Sequence, residues 1–315
     1  MNRRTIAALL ATKAAGVAAV ALVNRSLRLD DLPPTLPGRA QDWSWRGWRV
    51  RYTVLGEGPP VVLLHGIHAA ASSFEMRQVF EPLAGRFTVY AVDLLGFGKS
   101  ERPAIHYDGE LYAALVQDFL DAVVRAPTAI VASSLSTAYA VSSAAGRPET
   151  VERLVLVCPT GEAGISGPGL GSELAYRLLR SPIQGEALFN ALVSRWSIRR
   201  FLVERVFADP TRVTDALVDQ HWATAHQPNA RYAPAAFLGG RLNLPLPARL
   251  AQVMQPTLLV WGREARLTPL DEATPLRRAN PRAELRVIED AGLLPHDEQA
   301  DRFLEVVVPF LEGAE

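Results

Sequence analysis

The stretch Ala129–Ala140, reading Ala-Ile-Val-Ala-Ser-Ser-Leu-Ser-Thr-Ala-Tyr-Ala, constrains this 315-residue chain more than any other. An apolar β run, Ala129 to Ala132, passes directly into small, helix-compatible residues from Leu135 to Ala145. A strand that turns onto a helix without a loop holds its corner residue in a strained conformation, and only small side chains fit two positions to either side. Ser134 meets that test, with Ala132 and Ser136 as its neighbours. The usual form of such an elbow is Gly-x-Ser-x-Gly, so the pattern is relaxed but physically intact. Ser133 fails the test, because Val131 would be its upstream neighbour.

The rest of the chain repeats the theme of strand followed by helix. Residues Asp42 to Leu55 alternate around Trp43, Trp45, Trp48, Val50 and Tyr52 with Arg46-Gly47 between them, which predicts an antiparallel hairpin. Unbroken apolar runs, Val61–Leu64, Thr88–Val92, Leu154–Cys158 and Thr257–Trp261, suit strands buried on both faces of a parallel sheet. Helices are predicted between them, near residues 72–83, 109–124, 271–279 and 298–311, with a further strand at Glu284–Ile288. From Thr160 to about Pro247 the alternation gives way to a mostly helical pattern. The predicted architecture is a doubly wound, mostly parallel α/β sheet, residues 42–159 and 248–315, interrupted by a helical cap, 160–247.

Composition narrows the partner. With 33 basic and 33 acidic residues the formal net charge is zero, which gives no electrostatic argument for nucleic acid. Hydrophobic residues make up 49 % of the chain, and a small lipophilic molecule suits it better. The single cysteine, Cys158, sits in an apolar run and reads as a small buried hydrophobe. His106, His221 and His226 have no metal-ligand spacing, and His221 and His226 read as cap packing. No cofactor is implied.

The first residues admit three readings. Arg3 and Arg4 precede an alanine-rich apolar stretch, residues 5–23, about as long as a bilayer is thick. Lys13 near its middle would cost roughly 2.5–3.5 kcal/mol in a membrane. Residues 1–29 are therefore a membrane anchor, a signal peptide cut after Ala21, or a frayed helix, and membrane association through 5–23 is the leading expectation, with the body of the chain cytoplasmic or exported. A proline-rich linker, 30–41, follows. In the cap, residues 194–212 interleave Trp196, Ile198, Phe201 and Leu202 with arginines, which fits either an ordinary lid helix with a solvated basic face or a helix lying on a membrane.

His65-Gly66 after one strand, Asp93-Leu94-Leu95-Gly96-Phe97-Gly98-Lys99-Ser100 after the next, the Ser134 elbow, and Trp261-Gly262 followed by Leu267-Thr268-Pro269 together resemble the α/β-hydrolase superfamily, in its small capped members. The resemblance covers Trp43 to Leu311. It implies that Ser134 is a nucleophile and that the backbone N–H groups of Ile67 and Leu135 form an oxyanion hole. Because Asp93 lies outside the elbow, it corresponds to a loop-organising residue. The resemblance also exposes two departures. The position of the usual acid is Ala265, and that of the usual base, in Gly292-Leu293-Leu294-Pro295-His296-Asp297-Glu298, is Leu293. A serine without its histidine keeps only oxyanion-hole and binding catalysis, a loss of about six orders of magnitude. Candidate substitutes are Glu264 or Glu162 for the acid and His296 or His68 for the base. The preferred set is Ser134, His296 and Glu264, with His68 and Ser133 contacting substrate. Two functions follow: a divergent serine hydrolase for an ester or related lipophilic compound, or a non-catalytic protein binding a hydrophobic ligand or partner in the same pocket.

Overall fold

The computed structural model describes residues 3–29, 31–32, 36–160 and 169–313, and for residues 3–11 and 14 the backbone alone. Its centre is an eight-stranded sheet: β1 (Arg39–Trp45), β2 (Trp48–Leu55), β3 (Pro60–Leu64), β4 (Thr88–Val92), β5 (Thr128–Ser133), β6 (Val151–Val157), β7 (Thr257–Gly262) and β8 (Glu284–Ile288). The spatial order is β1-β2-β4-β3-β5-β6-β7-β8. The first two strands join antiparallel, β2 also running antiparallel to β4, and all neighbours from β4 to β8 are parallel.

Each predicted strand is present, and in the central ones, β3, β5 and β6, the side chains alternate between two apolar layers. Val62, Leu64, Ile130, Ala132, Leu154 and Leu156 enter one layer. Their chain neighbours Val61, Leu63, Ala129, Val131, Val155 and Val157 enter the other, against Val79, Phe80 and Leu83 of helix Arg77–Ala84 and Phe303, Val307 and Leu311 of helix Ala300–Glu312. With both faces covered, no polar alternation survives in these strands, as their sequences require. The hairpin turn places Arg46 and Gly47 at φ 50° and 85°, the left-handed pair that a two-residue connection between twisted strands demands.

The chain steps one way from β3 to β4 and then returns to the other side of β3 with β5. The loops leaving β3 and β5 therefore diverge, and the crevice between them is where an open α/β sheet accepts a ligand. Over this edge lies the cap, with helices Leu170–Arg180, Ile183–Leu192, Arg195–Phe201, Asp215–Ala225, Tyr232–Leu238 and Leu246–Leu250. Its arginine-rich segment is a lid element: Ile198, Leu202, Val206 and Phe207 are buried, while Arg195 and Arg200 pair with Asp219 and Glu204 at 2.6 and 3.0 Å and Arg199 pairs with Asp215.

The N-terminal segment forms one helix, Arg3–Leu27, whose C-terminal end docks on the cap rather than standing apart from it. Buried Asn24 donates to the Ile183 carbonyl at 3.1 Å and accepts from Asn190 at 3.2 Å, and Arg28 makes two bonds to Glu186 at 2.7 and 2.8 Å. Among the described residues no helix is long and apolar enough to cross a membrane. Pro33 and Pro34 of the linker, and Glu162, lie outside the described residues.

Candidate functional site

Ser134 sits at the corner with φ 52°, as the small neighbours of the elbow predict. The usual second glycine is replaced by Ser136, whose hydroxyl donates to the His65 carbonyl at 2.6 Å, so the larger side chain is bonded in place. Gly66 answers from the opposite loop: a Cβ there would lie 3.3 Å from both Ser134 Cβ and a Glu75 oxygen and 3.5 Å from Ser133 Oγ. This close approach sets the loop carrying Ile67 against the elbow that carries Leu135. Among the described residues neither amide donates to a protein acceptor.

The loops are fixed by polar groups that do no chemistry. His65 donates from Nδ1 to the Gly66 carbonyl at 2.7 Å and accepts the Leu94 N–H on Nε2 at 3.2 Å. Asp93 accepts the N–H groups of Ser73 and Lys99 at 2.7 and 2.8 Å. Gly98 must be glycine, since at φ 49° a Cβ would fall 2.1 Å from the Asp93 carboxyl.

Ser134, Gly66 and Ile67 open on a cavity of about 300 Å³, whose apolar wall includes Phe201, Leu202, Val206 and Phe237 from the cap and Leu267, Leu293 and Leu294 from the core. A second apolar chamber of about 250 Å³ shares Phe201, Leu202, Phe237, His68 and His221 with it and extends among Phe189, Leu192 and Ile198.

The expected catalytic residues separate. The one hydrogen bond of Ser134 Oγ among the described residues is to Thr160 Oγ1, at 2.9 Å, and no imidazole bonds to it. Leu293 places an isobutyl group in the cavity wall where the resemblance implies a base, and Ala265 belongs to the buried apolar core. Glu264 is exposed, does not line the cavity, and accepts the Ala291 N–H at 2.9 Å, tying together the loops after β7 and β8. His296 is fully buried and also outside the cavity lining; its Nε2 lies 3.4 Å from Glu75 Oε1. Neither therefore meets Ser134. The rest of that motif clamps the fold: Asp297 binds Arg77 at 2.7 and 2.8 Å, and Glu298 accepts the N–H groups of Ala208 and Asp209 at 2.7 and 3.2 Å, holding the cap to the loop that carries Leu293.

His68 and Ser133 do line the cavity, and with them come three residues that sequence reasoning missed or set aside. His221, read as cap packing, faces the cavity and stacks on His68 with ring centroids 5.6 Å apart. His221 donates from Nδ1 to the Leu217 carbonyl at 2.9 Å, and His68 Nδ1 accepts the Ala70 N–H at 3.2 Å. In their neutral forms His68 therefore presents an N–H donor at Nε2 and His221 a lone pair at Nε2. Both are neutral at pH 7, since burial pushes His68 down to about 3 and His221 down to about 4. Thr160 had no sequence signal beyond its place after β6. Glu75 is the third. It lines the cavity, is 7 % exposed, and accepts the Gly66 N–H on both oxygens at 3.2 and 3.0 Å. Burial alone would raise its carboxyl; His296 beside it outweighs this, and the group is held down to about 2. In sequence Glu75 was hidden as one acidic residue in a predicted amphipathic helix.

Known proteins share this fold. Over 295 residues, 91 % of this chain and 84 % of its relative, the chain is 29 % identical to an uncharacterised protein of Mycobacterium tuberculosis. It is 27 % identical, over 84 % of its length and 91 % of the relative's, to the 2-hydroxy-6-oxo-6-phenylhexa-2,4-dienoate hydrolase of Burkholderia cepacia. Among solved structures, a serine hydrolase involved in carbazole degradation superposes with a TM-score of 0.72 at 23 % identity, over 88 % of this chain and 99 % of that one. The profile of the alpha/beta hydrolase family matches residues 61–306, which span the sheet from β3, the elbow and the cap. With fold, elbow and profile in agreement, the chain belongs to the alpha/beta hydrolase family.

Proposed function

We propose that this protein is a divergent hydrolase acting on a small lipophilic ester or related carbonyl compound, with the carbonyl oxygen received by the Ile67 and Leu135 amides and Ser134 beside the carbonyl carbon. The observation that carries this reading is the elbow itself: a strained Ser134 that opens with Ile67 on an apolar cavity, and Ile67 and Leu135 amides that donate to no acceptor among the described residues. Backbone donors survive side-chain drift, so the oxyanion site outlasts the loss of Ala265 and Leu293 as catalytic positions. Proton transfer from Ser134 falls to the cavity's own groups, and the lone pair of His221 Nε2 is the neutral acceptor lining it. The dienoate named for the Burkholderia relative is an anion, and Glu75 in the cavity wall disfavours a carboxylate here, so that substrate is not carried over.

A fluorophosphonate probe tests the reading. Wild type is expected to be labelled slowly and Ser134→Ala not at all; absence of labelling from pH 5 to pH 10 would overturn it. The second reading, a ligand-binding protein without turnover, is favoured by one observation: Leu293 fills the wall where a base would stand. It predicts ligand-induced stabilisation in a protein that no acyl probe labels.

A further inference from the structure

Glu75 takes no part in the proposed attack on the carbonyl, yet it is the only aspartate, glutamate, lysine or arginine among the described residues lining the main cavity. We propose that Glu75 is a recognition site for a hydrogen-bond-donating head group, a primary ammonium above all, on a ligand whose apolar remainder lies in the second chamber. This rests on the reading of the cavity as the binding site.

A carboxylate offers about four lone-pair positions. Glu75 fills them only in part: one N–H, from Gly66, is shared between both oxygens, His296 Nε2 stands at 3.4 Å, and the Ser133 hydroxyl is near enough to help hold the anion. The surroundings hold Glu75 as the anion, so a donor entering from the cavity meets an acceptor that is already ionised. His296 sits behind Glu75, outside the cavity lining, so the cavity sees the anionic end of the pair. No other fixed charge offsets it there. Arg77, the nearest cation on the same segment, is tied to Asp297 by two bonds at 2.7 and 2.8 Å, and His68 and His221 are neutral.

Two further polar atoms lead to the same place. Ser133 Oγ and Thr268 Oγ1 belong to residues lining this cavity that are 0 % and 2 % exposed; among the described residues neither makes a close hydrogen bond, Ser133 standing near the Glu75 carboxylate and Thr268 near the Cys158 thiol. Buried hydroxyls left unpaired are uncommon and costly. Ser133 Oγ and Glu75 Oε2 lie beside the same residue, at 3.5 and 3.3 Å from where a Gly66 Cβ would be, and both residues line the cavity. The second chamber, apart from its two histidines and Ser197, is lined by apolar side chains and alanines, including Phe189, Leu192, Val193 and Ile198, which suits a hydrocarbon tail.

The experiment is a titration series by isothermal calorimetry at pH 7.5 with hexylamine, 1-hexanol, hexanoate and hexyl acetate, on wild type and Glu75→Gln. The expected order on wild type is hexylamine tightest, at least tenfold over hexanoate, with hexanol between them. In Glu75→Gln, which keeps an acceptor for Gly66, the amine preference is expected to fall to within twofold. Equal affinity for amine and carboxylate on wild type overturns the proposal, whether or not the variant folds, as does an amine preference that persists in a folded Glu75→Gln. If hexyl acetate binds while the head groups are not distinguished, this inference fails and the cavity reading stands; if none of the four binds, both fail.

Discussion

Ser134 Oγ and Thr160 Oγ1 lie 2.9 Å apart, and this hydroxyl pair occupies the place where a hydrolase would join serine to histidine. A threonine hydroxyl has no basicity to take the serine proton at neutral pH, so the contact orients Ser134 without activating it. Restoring the missing chemistry therefore tests the site directly. The double variant Ala265→Asp, Leu293→His is expected to raise p-nitrophenyl acetate hydrolysis by at least about a hundredfold, and Ser134→Ala is expected to abolish the gain. A double variant that folds but gains nothing would show that the cap has closed the old reaction geometry.

The stacked pair His68 and His221 makes the fold acid-sensitive. Burial drives both imidazoles below their ordinary value of 6.5, to about 3 and about 4. Between pH 6.5 and about 4 the unfolded chain binds protons that the folded protein refuses, so stability falls as the pH drops through that window. The slope approaches about 1.4 kcal/mol per pH unit for each group. Glu75, held down to about 2, adds its loss only below its ordinary 4.5. Urea unfolding at pH 7 and pH 5.5 should show the decline, and His221→Phe should reduce it; a flat profile contradicts the neutral, buried assignment.

Glu298 joins the cap to the loop carrying Leu293 through Ala208, Asp209 and Gly292. Replacement by alanine strands these backbone N–H groups in a region where Glu298 itself is 1 % exposed. The expected loss is roughly 3 kcal/mol in denaturant unfolding. A change under about 0.5 kcal/mol would place Glu298 among ordinary surface positions.

Cys158 has 0 % exposure, and burial raises its thiol to about 12. The reactive species is the thiolate, so Ellman's reagent at pH 8 should leave the native protein unmodified and titrate one thiol after unfolding. Rapid reaction of the native thiol would be inconsistent with this packing.

The strands and the elbow were legible from residues 61–64, 129–136 and 257–261, because two-sided burial demands unbroken apolar runs and a tight corner demands small residues. That helices replace the strand–helix alternation after β6 was legible from where the apolar runs stop. The vacancies at Ala265 and Leu293 could also be seen, since each is one position in a motif. Which polar groups line the cavity could not be. Glu75, Thr160 and His221 lie 85 and 61 residues apart in sequence, and no local spacing links them; the loop after β3, the end of β6 and a cap helix bring them to one cavity. Conversely, Glu264 and His296 lie within three residues of the vacated positions, yet their side chains turn to Ala291 and Glu75. Local chemistry and periodicity thus determined the sheet and the elbow, whereas the contents of the cavity were decided by tertiary packing, because side-chain direction and long-range approach set which polar groups share a wall.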